Sequence, residues 1–315
     1  MGTLRLAYFG LPLAASLLVA DGHALELVVL PPLEGPGRRR LRRTLPPHVP
    51  LVDLLDGDPS ADPTATAARI DGLLERCRPD WIVSWFWTRR FSAAQLACAS
   101  RGALGAHPSL LPRHRGPNPY FAAIDAGDEL TGVTIHRLTE RYDEGAILSQ
   151  EAIPVGTSDS WQLARRLDRP SLRQLRQVLS RLERGEEMVE VPQDEAAASW
   201  APEPTGELRR VDWRWRSHRV LRRLRALAPV PGLALEFGGV RFFALRAEPA
   251  ADFPRALLPG EGAVVGSPPE VVVRTGDGAI RVLQAQLALD ATAEEAEGEG
   301  SVVSGQGLAE MVARG

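Results

Sequence analysis

The stretch Gly105-Ala-His-Pro-Ser-Leu-Leu-Pro-Arg-His-Arg-Gly-Pro-Asn-Pro119, followed by Thr131-Gly-Val-Thr-Ile-His136 and Asp143-Glu-Gly-Ala-Ile-Leu148, decides how this chain is read. Ala103 to Ala106 has strand character and delivers His107 to a proline-rich turn. Pro119 to Ala126 has the pattern of a helix with proline in its first turn. Thr131 to Leu138 and Ala146 to Val155 are β-like, with the Asp143 loop between them. His107 and Asp143 are far apart along the chain, so only the fold can join them.

Outward from this stretch, strand and helix alternate. Leu4 to Phe9 is an apolar run ending at Gly10. The helical Leu11 to Ala20 and the β-like Leu25 to Leu30 follow it, a βαβ opening. Residues 33 to 62 read as connecting loops around a short strand at Val49 to Val52. Thr64 to Cys77 places Ala67, Ile70, Leu73 and Leu74 at helical spacing, Trp81 to Trp85 is a buried strand, and Ser92 to Ala99 is helical. Such alternation predicts an α/β fold with a mostly parallel, doubly wound Rossmann-like sheet and ligands at the carboxyl ends of its strands. Trp161 to Arg184 forms a long helix rich in Arg and Leu.

From Glu186 to Glu207 the composition turns acidic and polar and periodicity is lost. A linker is placed at 188–207, between domains at 1–187 and 208–315. Beyond it, Arg214 to Leu227 is a basic amphipathic helix. Val230 to Leu245 yields two strands joined at Gly238-Gly239. Glu270 to Arg274 and Ala279 to Ala285 flank Gly276-Asp277-Gly278. A helix followed by short strands with glycine turns suits a small β-barrel. Glu294 to Gly300 reads as an acidic loop.

The 315 residues, 44% apolar and 24% charged, predict a soluble protein of two domains. Leu13 to Ala20 is too short for a membrane span and has no basic segment before it, so a cytoplasmic, non-membrane protein is expected. Cys77 and Cys98 lack metal spacing and read as buried free thiols. Lys is absent from the chain, which excludes Schiff-base pyridoxal chemistry and P-loop hydrolysis. No Cys/His/Asp cluster has zinc spacing, so no metal is expected.

A lone His before Pro is usually a turn or core residue, and a lone Asp-x-Gly is usually a turn. Their combination is more specific. His107-x-Ser-Leu-Leu-Pro112, Arg113-His-Arg115-Gly116 to Pro119, Thr131-Gly-Val-Thr134 and Asp143-x-Gly-x-Ile-Leu148 together resemble the core of the formyltransferase family that uses 10-formyltetrahydrofolate. Val211-Asp-Trp213, Pro231-Gly232 and Thr275-Gly-Asp-Gly278 resemble the C-terminal domain of its methionyl-tRNA and UDP-aminoarabinose branches, an open barrel of the OB type.

The resemblance implies a transferase with 10-formyltetrahydrofolate as co-substrate. It makes His107 the group that moves protons or donates to the oxyanion, and Asp143 the group that orients it or relays the amine proton. The family carries Asn two residues before the His. Here that position is Gly105, so one of three catalytic polar groups is missing. Loss of one oxyanion donor typically costs ~10²–10³ in rate. Another donor must stand in, or the space at Gly105 serves a bulkier acyl group or a water. Asn118, the single Asn of the chain, lies in a turn and is a poor substitute.

By the same resemblance Ser84, Trp85, Phe86, Trp87 and Arg89 lie in the folate-pocket wall, although the three aromatics read equally well as core strand residues. Ser109, Leu110, Leu111 and Pro112 form a loop on the folate side, and Tyr142 belongs to the facing loop. Phe9, Gly10, Arg115, Gly116, Asn118 and His136 are substrate-side candidates, while His114 reads as a loop residue.

The leading functional reading is formyl transfer to the amine of a small metabolite, such as an amino sugar or a hydroxyornithine-type side chain, in a biosynthetic pathway. Thr131-Gly-Val-Thr-Ile-His-Arg137 and Gly145-Ala-Ile-Leu148 are similar to the small-molecule branch. A homo-oligomer is compatible with this. The initiator-tRNA enzyme is an alternative, because Arg38 to Arg43 and the Arg-rich helix could contact phosphates. The net charge of −3 speaks against nucleic acid. A non-catalytic relative, or one that hydrolyses the donor or moves another acyl group, are further alternatives.

Overall fold

The computed structural model describes residues 3–33, 37–55, 63–288 and 300–313. Most of the acidic stretch at 294–300 and part of the loop region at 33–62 lie outside the described residues. Two compact units form. The first comprises residues 1–117, 131–153 and 167–200, and the second residues 118–130, 154–166 and 201–315.

The chain runs β1 (Arg5–Gly10), α1 (Pro12–Ala20), β2 (Ala24–Leu30), α2 (Arg38–Thr44), β3 (Leu51–Asp53), α3 (Pro63–Cys77), β4 (Trp81–Trp85), α4 (Ala93–Ala97), β5 (Ala103–His107), α5 (Pro119–Ala126), β6 (Leu130–Arg137), β7 (Ile147–Pro154) and α6 (Ser160–Glu183). Seven strands form one sheet in the order β3-β2-β1-β4-β5-β6-β7. β1 to β5 pair in parallel, and β6 runs antiparallel to β5.

The central strands are apolar on both faces because both faces are covered. Leu6, Tyr8, Val83, Trp85, Leu104 and Ile135 pack with Leu172, Leu175 and Leu179 of α6. Ala7, Phe9, Ile82 and Ala103 pack on the other face with Ile70 and Leu74 of α3. Strand order reverses between β1 and β4, which opens a crevice at their carboxyl ends. There the backbones approach so closely that a Cβ at Gly10, whose φ is +143°, would lie 1.8 Å from the Trp85 carbonyl oxygen.

The mostly parallel α/β sheet expected from sequence is present, and α2 is an addition to it. Its sequence has one buried apolar residue, Leu41, too little for a periodic signal. The helix is held instead by polar contacts. Arg38 binds Asp53 and the carbonyls of Pro31 and Leu33, and Arg42 binds Asp53 at 2.8 Å.

Residues 188–200, which composition marks as linker, are hydrogen-bonded to the first unit as an extended strap. Ile147 and Val191 exchange backbone bonds of 2.8 and 2.9 Å, Arg115 N–H donates to the Ser199 carbonyl at 2.9 Å, and Ser199 N–H donates to the Pro112 carbonyl at 3.2 Å. Backbone bonds need no apolar periodicity, so composition alone gave no sign of them.

In the second unit α7 (Ser217–Leu227) precedes β8 (Leu233–Phe237), β9 (Val240–Pro249), β10 (Gly262–Val265), β11 (Glu270–Arg274), β12 (Ala279–Leu287), β13 (Val302–Ser304) and α8 (Gly305–Val312). The antiparallel sheet has the order β10-β11-β12-β9-β8, with β13 on β12. β8 and β9 meet at Gly238 and Gly239, with φ of +57° and +72°, the left-handed pair a two-residue hairpin requires. A Cβ at Gly262 on β10 would lie 2.9 Å from the Phe237 ring on β8, so the two edges curl toward each other as a half-barrel.

Two arginines of the basic helix α7 spend their charge internally. Arg219 and Arg223 both bind the Asp125 carboxylate, and Arg223 also donates to the carbonyls of Glu207, Leu208 and Arg210. Burial alone would raise the Asp125 carboxyl, but its bonds to Arg223 and Arg219 hold it below the usual carboxylate range.

Candidate active site

Strand register builds the site. Phe9 pairs with Ser84, Ser84 with Gly105, and Gly105 with His136, so four of the sequence-predicted positions form one transverse row near the carboxyl ends of β1, β4 and β5. Side chains paired across strands share a face, and residues two apart on a strand do as well. His107, two residues beyond Gly105 and opposite Thr134, therefore joins the same face. Ala106 and Ile135 alternate to the other.

His107 and His136 are buried, at 6% and 1% exposure, with ring centroids 6.4 Å apart. Asp143 reaches between them. Its Oδ2 lies 3.4 Å from His107 Nδ1, and its Oδ1 lies 3.6 Å from His136 Nε2. The Gly116 N–H donates to Oδ2 at 2.9 Å, placing that predicted substrate-side residue against the carboxylate. Asp143 itself has φ +57°, a left-handed conformation that Asp tolerates better than most residues and that turns its carboxylate inward.

The far nitrogen of each imidazole is fixed by a backbone carbonyl. His107 Nε2 is 2.8 Å from the His114 oxygen, and His136 Nδ1 is 2.8 Å from the Arg137 oxygen. A carbonyl only accepts, so each of those nitrogens carries a proton. In the neutral His136 ring, Nε2 then presents a lone pair to Asp143, and His107 turns Nδ1 toward the other carboxylate oxygen. Burial pushes the His136 ring down to about 4, against the opposing pull of Asp143.

The 188–200 strap braces this loop. Gln193 Nε2 donates to the Asp143 carbonyl at 2.7 Å and the Gly145 carbonyl at 2.8 Å. Its Oε1 accepts from Arg115 Nε at 3.0 Å and Nη2 at 2.8 Å, and Glu195 completes the Arg115 pairing. Arg115, a predicted substrate residue, is thus buried in an internal network. Sequence reasoning missed Gln193 and Glu195. They sit in an aperiodic polar segment, and only the acidic residue count facing a basic loop hinted at pairing.

The other predicted positions fall into distinct places. Trp85 is a core residue whose Nε1 donates to Ser171 at 2.9 Å. Phe86, at φ +58°, packs edge-on to Trp85, and Trp87 contacts Phe9 and Phe91. The Arg89 guanidinium lies 6.0 Å from the Trp87 ring. Phe9 is fully buried in the core.

The Tyr142 hydroxyl donates to the Thr88 carbonyl at 3.0 Å, which ties the 139–145 loop to the segment after β4. Thr134 holds the 109–112 loop. Its hydroxyl donates to the Ser109 carbonyl at 2.7 Å and accepts from Leu111 N–H at 3.1 Å. Leu110 packs over Gly132, and Pro112 accepts from the strap. Asn118 belongs to the second unit and caps α5, its Oδ1 accepting from Phe121 N–H at 3.1 Å and its Nδ2 donating to Glu203.

Comparison with known proteins gives a consistent outcome. The family model described as formyl transferase matches residues 37–179, and that described as formyl transferase, C-terminal domain, matches residues 205–296. The methionyl-tRNA formyltransferase of Thiobacillus denitrificans is 32% identical over 290 residues, covering 90% of this chain and 92% of the relative. That of Anaeromyxobacter dehalogenans is 34% identical over 294 residues, with the same coverage.

Among solved structures, HypX from Aquifex aeolicus in complex with tetrahydrofolic acid superposes with a TM-score of 0.66 at 21% identity, over 100% of this chain and 48% of that one. WlaRD, a sugar 3N-formyl transferase crystallised with dTDP and 5-N-formyl-THF, gives 0.65 at 12% identity over 92% and 100%. Both are likenesses of fold.

Proposed function

We propose that this chain, which belongs to the formyl transferase family, moves a formyl group from 10-formyltetrahydrofolate to the amine of a small metabolite. The convergence of His107, Asp143 and His136 at the carboxyl end of the sheet carries this reading. The residues beside it suit a flat heteroaromatic donor, which needs apolar walls and main-chain hydrogen-bonding groups. Half-buried Phe86 and Trp87, the partly exposed Tyr142, Ser84, Arg89 and the main chain of Ser109 to Pro112 would line that pocket.

The folate supplies an activated formyl carbonyl. Asp143 takes the proton of the attacking amine, and His107, held by the His114 carbonyl and by Asp143, stabilises the charge that develops. The chemistry lies in residues 1–187, in a cytoplasmic enzyme. Two observations favour a small amine. The net charge is −3, and the Arg side chains of α7 at 219, 223 and 225 are bound to Asp125 and to backbone carbonyls rather than offered to phosphates.

Methionyl-tRNA is the second reading, favoured by relatives of that name that cover nine-tenths of the chain. Incubation with 10-formyltetrahydrofolate and either a panel of amino sugars and hydroxylated amino acids or charged initiator tRNA separates the two. Mass spectrometry is expected to show one formyl group gained by a small amine and none by the tRNA. His107→Ala and Asp143→Ala should each lower the rate by ~10²–10⁴ while the chain stays folded. Wild-type rates in both variants would refute the assignment, and formylated tRNA would establish the second reading.

A further inference from the structure

An asparagine side chain is absent at position 105, yet its space is filled. An ideal Cβ on Gly105 would lie 2.6 Å from Leu138 Cδ2 and 3.1 Å from His136 Nε2. His136 pairs with Gly105 across β5 and β6, so its ring crosses the bare glycine on the face that carries His107. The third polar group of the site is therefore an imidazole from the neighbouring strand.

The tautomer sets what that imidazole can do. His136 Nδ1–H donates to the Arg137 carbonyl, so the neutral ring has no proton to give an oxyanion and presents a lone pair to Asp143 Oδ1. On the opposite side of the carboxylate, His107 turns its own Nδ1 toward Oδ2 at 3.4 Å. Two nitrogens and a carboxylate thus converge with room for a proton between them. Asp143 is the outermost member, its side chain 16% accessible against 7% for His107 and 2% for His136. An incoming amine meets the carboxylate first.

We propose that His136 is a positioning residue that acts through Asp143, sharing at Nε2 the proton that Asp143 Oδ1 takes from the amine, in the space made by Gly105. The inference rests on the formyl-transfer reading. As the amine nitrogen bonds to the formyl carbon, the carbonyl π pair moves to oxygen and one amine proton passes to Oδ1, hydrogen-bonded to Nε2. On collapse the oxyanion pair re-forms the carbonyl, the bond from carbon to folate N10 breaks, its electron pair leaves on N10, and that proton is returned there. The cluster ends as it began. A side-chain amide at 105 could donate a hydrogen bond but has no basic nitrogen to share a proton, so the Gly105–His136 combination exchanges a fixed donor for a proton acceptor.

The groups facing His136 are Asp143, His107 and Arg115, with the Gly116 N–H on the far carboxylate oxygen. The neutral state that the proposal needs agrees with the burial-lowered ring.

The test joins a spectroscopic and a kinetic readout on the full-length protein. Nitrogen-15 spectra of histidine-labelled protein are expected to show His136 protonated at Nδ1 and bare at Nε2 at neutral pH. The Nε2 signal should move in Asp143→Asn, whose amide can donate to it. With 10-formyltetrahydrofolate and hydroxylamine as the probe amine, His136→Phe should lower kcat by ~10²-fold, the low end for proton-transfer catalysis. It should also shift the acid limb of the rate profile to lower pH and leave the KM for folate unchanged. His136→Gln, which keeps an acceptor oxygen, should recover part of the rate and shows that the site still folds.

A protonated Nε2, or wild-type kcat and pH profile in His136→Phe, overturns the proposal. Failure of the wild type to formylate hydroxylamine or any amine of the panel strikes the formyl-transfer reading instead, and the tautomer still decides the proton arrangement.

Discussion

Replacing Gln193 tests whether the strap holds the catalytic loop. Its amide donates to the Asp143 and Gly145 carbonyls and accepts twice from Arg115, four hydrogen bonds from one side chain. Arg115 keeps Glu195 as a partner, so the lasting loss in Gln193→Ala is the donor to two carbonyls of the Asp143 loop and half the clamp on Arg115. At about 1 kcal/mol per net hydrogen bond, with part of the loop carbonyls regaining water, the expected destabilisation is about 2–4 kcal/mol.

The effect on turnover should be larger than stability alone explains, because the side chain of Asp143 is aimed by a backbone held in the left-handed region. Gln193→Glu sharpens the contrast. It retains a partner for Arg115 but sets a carboxylate oxygen against the two carbonyls in place of a donor, so it should loosen the 139–147 loop and lower kcat while the Arg115 pairing survives. Urea denaturation measures stability. Formyl transfer and amide hydrogen exchange over residues 139–147 measure turnover and the loop. If Gln193→Ala unfolds at the wild-type urea concentration and exchanges no faster over 139–147, the strap is a passive connection and the reasoning fails.

Gly105→Asn should lower rather than raise activity, since its Cβ already collides with Leu138 and presses on the His136 ring. A gain in kcat would show that the space is free for an amide. The His136 ring, held at about 4 against 6.5 in the unfolded chain, makes the unfolded state bind more protons between those values. Stability should therefore fall as pH drops through that window, by up to ~1.4 kcal/mol per pH unit. The slope should flatten in His136→Gln, and an unchanged slope in thermal melts would contradict the burial argument. Arg223→Ala leaves the partly buried Asp125 with Arg219 alone and three backbone carbonyls without their donor. A loss of about 3 kcal/mol is expected. An unaltered urea midpoint would show that this network is dispensable.

What the sequence determined by itself is the periodic and the punctuated. Both-face apolar runs such as Trp81 to Trp85, helical spacing in 64–77 and the paired glycines at 238–239 are local signals, and they marked the corresponding elements to within a few residues. The family motifs around His107 and Asp143 are likewise local strings. The tertiary structure decided everything carried by hydrogen bonds between distant segments. α2 has a single buried leucine and depends on Asp53 and backbone carbonyls. The strap at 188–200 holds its place by backbone exchange with Ile147 and by Gln193 and Glu195.

The meaning of Gly105 also waited for the fold. As a string it is one glycine two residues before a histidine, but strand register sets His136 directly opposite and lays an imidazole across it. Register is fixed by pairing between β5 and β6, some thirty residues apart, and a one-residue slip would send that imidazole to the other face of the sheet. Nothing in a local window of sequence encodes that choice.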